Sequence, residues 1–263
     1  MNETRPIGVF DSGVGGLSIL RELKKIMPHE NYIFVADQLN VPYGEKTQKE
    51  LENLTLKICK FFVSKNSKLI VAACNTATCH ALPYLRSKIK IPIIGTVPAV
   101  KPAAEKSKTG AIGIISTPAT SQSQYLKNLI QIYAKNLKVA NIGCMGLENA
   151  VEKGVLNSPE VKKMLNKFIK PIKNSGADII VLGCTHYPFL KTQIKKTAGT
   201  KIKLIDSGKA IAKHTKNTLQ KLNILSKSGK NTDFYTTGNP ELFSKTASVL
   251  LKKNIVGKQI ILK

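Results

Sequence analysis

Short apolar runs alternate with longer amphipathic stretches along most of this chain. The apolar runs are Ile7–Phe10, Tyr32–Ala36, Lys68–Ala73, Ile91–Gly95, Ala111–Ile115, Leu137–Ile142, Asp178–Leu182 and Lys201–Ile205. Helix-like stretches lie between them, among them Thr47–Lys65, Ala119–Tyr133, Glu160–Lys173 and Lys209–Leu222. In the first of these, Leu51, Leu54, Ile58, Phe61 and Phe62 recur at helical spacing. Strands alternating with helices predict parallel sheets with crossover helices, an α/β fold. Strands as continuously apolar as Leu69-Ile70-Val71-Ala72-Ala73 suit sheets covered on both faces. In such folds ligands bind beyond the carboxyl ends of the strands, so the residues just after each strand carry the most information.

Two pairs of matching phrases stand at those positions. Asp11-Ser12-Gly13 follows the first strand, and Asp206-Ser207-Gly208 follows the last. Cys74-Asn75-Thr76 follows Leu69–Ala73, and Cys184-Thr185-His186 follows Asp178–Leu182 and Gly183. The echo predicts two similar parallel-sheet α/β domains facing each other across a shared active-site cleft, each giving it one thiol. Asp-Ser-Gly alone is a common turn phrase, and a strand-end Cys is often a packing residue. The agreement of strand, position and following residues favours chemistry for Cys74 and Cys184.

Two thiols on opposite sides of a substrate Cα form an acid–base pair. One, as thiolate, removes the proton; the other delivers a proton to the opposite face, and the centre is inverted. Cys suits the task because its pKa of about 8.5 moves readily with local charge. His186 stands two residues beyond Cys184 and is placed to help it exchange a proton. Asp11 is a candidate to orient a thiol or a substrate amine. Ser12, Asn75, Thr76 and Thr185 offer neutral hydrogen bonds, and helix starts after the strands offer N–H groups to carboxylates.

These phrases resemble the glutamate racemases of the aspartate/glutamate racemase superfamily. The resemblance rests on Gly8-Val9-Phe10-Asp11-Ser12-Gly13-Val14-Gly15-Gly16-Leu17, Val41-Pro42-Tyr43-Gly44, Ala73-Cys74-Asn75-Thr76-Ala77-Thr78 and Leu182-Gly183-Cys184-Thr185-His186-Tyr187-Pro188, and it runs over most of the chain. It implies an isomerase that interconverts L- and D-glutamate for peptidoglycan without pyridoxal, metal or any other cofactor. Cys74 and Cys184 would be the acid–base residues, with Asp11, His186 and Glu152 assisting. Substrate contacts would come from Asp11, Ser12, Pro42, Tyr43, Gly44, Asn75, Thr76, Thr185 and His186. The resemblance also implies a homodimer and a C-terminal segment that returns to the first domain. The expected division is residues 1–96 plus 209–263 for the first domain and 97–208 for the second. Asn40 stands where the family usually has Arg, and Met145-Gly146 follow Cys144 where Pro and bulkier apolar residues are usual. An aspartate racemase or another superfamily member is the alternative within the same chemistry.

Composition bounds the rivals. Met1–Pro6 is polar and lacks the pattern of a secretion signal, and no apolar run is long enough to span a bilayer, which together predict a cytoplasmic protein with no membrane partner. The five cysteines, at 59, 74, 79, 144 and 184, are odd in number and form no Cys-x-x-Cys pair, so free thiols are expected rather than a disulfide framework. Cys59, Cys79 and Cys144 read as packing residues. A zinc site drawn from Cys74, Cys79, His80, Cys184 and His186 lacks the paired short spacings typical of structural zinc, so no metal is expected. Gly13-Val14-Gly15-Gly16 fits neither dinucleotide nor Walker spacing. The formal charge of +25 raises a different class, a basic nucleic-acid-associated binding protein. Only Arg5, Arg21 and Arg86 are arginines, and the lysines are spread over the whole chain, which predicts weak, nonspecific attraction to polyanions instead.

Overall fold

The structure, a computed structural model, describes residues 3–262; Met1, Asn2 and Lys263, at the ends of the expected first domain, lie outside the described residues. All eight expected strands are present, each end within two residues of its expected limit. They are β1 (Ile7–Asp11), β2 (Tyr32–Ala36), β3 (Leu69–Ala72), β4 (Ile93–Gly95), β5 (Ala111–Ser116), β6 (Lys138–Gly143), β7 (Ile179–Leu182) and β8 (Lys203–Ile205). Two further strands, β9 (Thr232–Thr236) and β10 (Gly257–Gln259), follow. The helices are α1 (Leu17–Ile26), α2 (Gln48–Ser64), α3 (Asn75–Lys88), α4 (Val100–Lys106), α5 (Pro118–Gln122), α6 (Gln124–Tyr133), α7 (Leu147–Glu152), α8 (Pro159–Asn174), α9 (Lys191–Ala198), α10 (Gly208–Lys221) and α11 (Pro240–Leu251).

The strands form two sheets, ordered β10-β9-β2-β1-β3-β4 and β6-β5-β7-β8, with every pairing parallel. β1 and β3 are adjacent in the middle of the first sheet, in register Phe10↔Ala72, so the loops after them open side by side. β5 and β7 are adjacent in the second, in register Ile115↔Leu182. The central strands are wholly buried, as their apolar runs require.

Apolar side chains alternate between the two faces of the first sheet. Phe10, Ile33, Val35 and Ile70 pack with Ile58, Phe62 and Leu85 of α2 and α3. Val9, Phe34 and Val71 pack with Leu20, Leu23, Ala212 and Phe243 of α1, α10 and α11. That second cluster runs on without a break through Val14, Leu147, Val151 and Tyr187 to Leu165, Ile169 and Ile180 against the second sheet. One apolar body thus joins the two sheets on this side. Where the chain crosses between them, Ser207 Oγ donates to Val97 O and ties the outgoing and returning segments together.

Two local features depart from the periodicity. The helix expected over Ala119–Tyr133 is two helices, because Ser123 is extended (φ −61°, ψ 140°) and its side chain caps a new start by accepting from Leu126 N at 3.1 Å. β9 and β10 escape the apolar-run criterion because Thr-Asp-Phe-Tyr-Thr is only half apolar and Gly-Lys-Gln, on the sheet edge, is polar.

At the opposite end of the first sheet from the cysteines, Lys68 Nζ pairs with Glu30 Oε2 at 2.7 Å, both side chains 0–1% exposed. Lys68 also donates to Ile224 O at 2.7 Å, and Glu30 Oε1 accepts from Ser226 N at 2.8 Å, so the pair anchors the segment between α10 and β9. Lys68→Met leaves Glu30 buried without its counter-ion and is expected to cost about 3–5 kcal/mol. Urea denaturation measures this, and a loss no larger than that of an exposed Lys→Met control would show that the pair anchors nothing.

Candidate active site

Each cysteine comes off the carboxyl end of a central strand. β3 ends at Ala72, and Cys74 is the N-cap of α3, with extended backbone (φ −67°, ψ 122°) and its Sγ accepting from Ala77 N at 3.5 Å. β7 ends at Leu182, and Cys184 follows Gly183. The thiols are 5% and 6% exposed and line one small cavity, with room of about 10 Å³. That is about the space of one water molecule, so the walls of the cleft stand close together. Ser12, Pro42, Tyr43, Gly44, Asn75, Thr76, Thr185 and His186 line it as well.

Asp11 and Glu152 stand one layer back. His186 Nδ1 lies 3.5 Å from Cys184 Sγ, and its Nε2 lies 2.6 Å from Glu152 Oε1. Glu152 is held in turn by Val14 N at 2.7 Å and by Gln38 Nε2 at 2.7 Å. Gln38 is itself fixed by Thr236 Oγ1 of β9, which donates to its Oε1 at 3.0 Å. Asp11 Oδ2 accepts from Gly16 N at 2.7 Å and from Thr185 Oγ1 at 3.2 Å, while its buried Oδ1 has no partner. The glycines between them have a reason of their own. A methyl on Gly15 would overlap the His186 ring, and one on Gly13 would overlap the Glu152 carboxylate, so only bare backbone lets the first sheet's loop close on the second.

Burial raises the pKa of both thiols, and the neighbours then differ. At Cys74, Asp11 adds to the effect of burial, against the weaker opposing pull of the Ala77 N–H, and the thiol stands well above its ordinary value. At Cys184, burial raises the pKa and His186 opposes it. Burial works against a charged His186 ring, but contact with Cys184 and Glu152 outweighs it and holds the ring well above the ordinary histidine pKa. Burial likewise works against Glu152, and the His186, Gln38 and Val14 hydrogen bonds bring its pKa below the ordinary glutamate value. Their mutual contact thus favours the charged form of both His186 and Glu152. Asp11 is raised, by burial first.

The residues that the strand-end rule reaches but the motifs did not are Asp37, after β2, and Thr117, after β5. Asp37 is fully buried and accepts from Tyr43 OH at 2.7 Å, Thr237 Oγ1 at 2.8 Å and Asn40 Nδ2 at 3.0 Å, which fixes the Pro42–Gly44 turn against the cleft. Asn40 thus serves the turn through Asp37. Thr117 Oγ1 lies 3.0 Å from Thr76 Oγ1 and lines the cavity. Glu148, on α7, lines it too, and no strand-end position or phrase pointed to it. The second Asp-Ser-Gly is not in the cleft: Asp206, Ser207 and Gly208 line a wider cavity of about 450 Å³ behind Cys184 and Thr185, against α1. Among the described residues no group of three or more His, Cys, Asp or Glu side chains is arranged to hold a metal ion, and no helix is long and apolar enough to cross a membrane.

Two parallel sheets that each deliver one cysteine to a common cavity give the chain the fold of the amino-acid racemases. The sequence profile of the Asp/Glu/Hydantoin racemase family matches residues 12–215, and the chain belongs to that family. Its relatives include glutamate racemases: the one from Herpetosiphon aurantiacus is 41% identical over 248 residues, 94% of this chain and 98% of that protein. A solved glutamate racemase isoform of Bacillus anthracis superposes with a TM-score of 0.88 at 32% identity, covering 99% of this chain and 98% of that one. The glutamate racemase of Francisella tularensis, solved in complex with D-glutamate, superposes with a TM-score of 0.86 at 29% identity over 99% and 98%.

Glu152→Gln removes the anion that holds a proton on His186. The raised His186 pKa keeps the charged pair intact until pH rises through it; in the variant the ring is expected to lose its proton at lower pH. NMR titration of the His186 ring checks this, and an unchanged titration would show that the proton is held by other groups.

Proposed function

We propose that this protein interconverts L- and D-glutamate by a two-thiol mechanism that uses no cofactor, and that it supplies D-glutamate for peptidoglycan. The observation that carries the reading is the pair Cys74 and Cys184, which come from different sheets and line one cavity with His186 behind the second thiol. The similarity to glutamate racemases along most of the chain supports glutamate as substrate.

In this reading the substrate Cα lies between the two sulfurs. One thiol first releases its proton to solvent; that thiolate takes the α-proton, and the electron pair of the C–H bond passes into the adjacent carboxylate as an enolate-like charge. The opposite thiol then gives its proton to the other face, and the C–H bond re-forms with inverted configuration. Cys74 is left as the thiolate where Cys184 began as one, so the next turnover starts from the mirror arrangement. The charged His186 stabilises the Cys184 thiolate, and Glu152 keeps His186 charged and oriented. Asp11, one layer behind the cavity and beside Cys74, draws the substrate ammonium to that side by its charge. Ser12, Asn75, Thr76, Thr185 and the Pro42-Tyr43-Gly44 turn hold the carboxylates, which are stabilised by preorganised hydrogen-bond donors. The reading divides the chain into a first domain of residues 1–96 plus 209–263 and a second of residues 97–208. Opening between them admits substrate to a cavity that is small when closed. We further propose a cytoplasmic homodimer.

Purified protein incubated with L-glutamate in D₂O, without pyridoxal phosphate or metal, is expected to lose the α-proton NMR signal and to yield D-glutamate by chiral chromatography. Exchange with L-aspartate alone would move the substrate; silence with both would end the reading. Cys74→Ala and Cys184→Ala are each expected to lower racemisation by about 10²–10⁴-fold or more. Each variant keeps one thiol and is expected to exchange the α-proton of one enantiomer only. Full racemisation by either variant would overturn the two-thiol mechanism.

A further inference from the structure

Glu148 is an acid that the two-thiol scheme does not use. It stands in the first turn of α7, 5% exposed, and lines the same cavity as Cys74, Cys184 and His186. Its Oε2 is buried and has no hydrogen-bond partner. Among the described residues no lysine or arginine lines that cavity. His186 lines it, and its ring is already engaged by Glu152 at 2.6 Å. The protein carries +25 overall, yet its cleft offers no free positive side chain.

The groups facing Glu148 come from several elements. Cys184 and His186 follow β7, Tyr187 lies just beyond them, Cys144 follows β6, and Glu45 comes from the turn after Tyr43. The Val14–Gly16 segment brings no titratable group, and α8 brings Met164, which packs against Gly146. Burial raises the Glu148 pKa above the ordinary glutamate value. Its own and the Gly146 backbone N–H groups oppose this, as does His186, and Glu45 adds to it.

Glutamate brings two carboxylates into this cleft. An ionised Glu148 would repel them and would also keep a bare oxygen out of water. A protonated Glu148 removes the repulsion and turns the unpartnered oxygen into a donor, since a neutral carboxylic acid carries an O–H. A buried acid kept neutral so that it can donate has precedent in other active sites. We propose that Glu148 is a specificity-determining residue that meets the substrate as the neutral acid and donates its Oε2–H to a substrate carboxylate. Where the empty cleft holds Glu148 ionised, binding a dicarboxylate amino acid therefore takes up one proton from solvent. This rests on the racemase reading above.

The consequence is a KM for glutamate that rises with pH, by about tenfold per pH unit above the Glu148 pKa, as linkage to a single proton requires. The test is kcat and KM for L- and D-glutamate across the neutral and alkaline range, in wild type, Glu148→Gln and Glu148→Leu. Glu148→Gln keeps a donor that cannot ionise, and its KM is expected to stay near the low-pH wild-type value throughout. Glu148→Leu has neither charge nor donor, and its KM is expected to be flat and at least about tenfold higher, the worth of one hydrogen bond to a charged group. A KM that climbs in Glu148→Gln as in wild type overturns the proposal, because another group then carries the proton. A low, flat KM in Glu148→Leu overturns it too, because the O–H contact would then contribute nothing. Wild type that racemises neither glutamate nor aspartate would overturn the racemase reading itself, an outcome separate from both.

Discussion

The arrangement of the site depends on one polar seam, where the loop after β1 meets the loops of the second sheet. Val14 N–H donates to Glu152, Thr185 Oγ1 donates to Asp11, and Ser18 Oγ donates to Thr185 O at 2.8 Å. Each of these bonds joins a residue at the end of β1 or just after it to a residue that follows a strand of the second sheet. They run from 2.7 to 3.2 Å, and the two that go to carboxylates in a site of low dielectric are worth more than they would be at the surface. Without the seam the two thiols would still cap their strands, but nothing would set the face each turns toward the other. The continuous apolar cluster behind it, from Val14 through Leu147, Val151 and Tyr187, supplies the bulk of the burial on that side, while the seam supplies the register.

The seam also explains the glycines of Gly13-Val14-Gly15-Gly16. As a phosphate-binding phrase the spacing fails, and as a turn it would be ordinary. Its use is steric: Glu152 and His186 occupy the volume that side chains at positions 13 and 15 would need. The chain reaches β9 and returns to the first sheet for a related reason. Thr236, at the end of β9, holds Gln38, and Gln38 holds Glu152, so a strand that comes late in the sequence steadies a carboxylate of the second sheet's α7.

Much of this was legible in the sequence, and the exceptions share a cause. The eight apolar strands announce themselves because central parallel strands must be apolar on both faces. β9 and β10 lie toward the sheet edge, where that demand relaxes, and their Thr, Asp, Lys and Gln hide them. The helix break at Ser123 was hidden because Ser is tolerated within a helix and only its capping geometry reveals a new start. In the cleft, residues that follow a strand directly, such as Asp11, Cys74 and Cys184, were reachable by the strand-end rule, and Asp37 and Thr117 obey the same rule without a phrase to mark them. Glu148 obeys no such rule. It is a helix residue whose meaning comes only from what α7 packs against.

The internal echo of the sequence stops short of symmetry, and chemistry gains from the difference. Both cysteines cap the ends of equivalent strands, but their surroundings are opposite in sign. Cys74 has the Asp11 carboxyl and one backbone N–H beside it; Cys184 has a cationic ring held by a carboxylate. His186 favours a thiolate at Cys184 and Asp11 disfavours one at Cys74, and the substrate ammonium, received near Asp11 in the proposed complex, would supply the positive charge that the Cys74 side lacks. On that reasoning the two half-reactions are not mirror images in energy even though they are mirror images in stereochemistry. In the proposed mechanism one thiol would draw its stabilisation from the protein and the other from the bound amino acid, which is a physical reason for the two Cys phrases to differ after their first residue, with Asn75-Thr76 on one side and Thr185-His186 on the other.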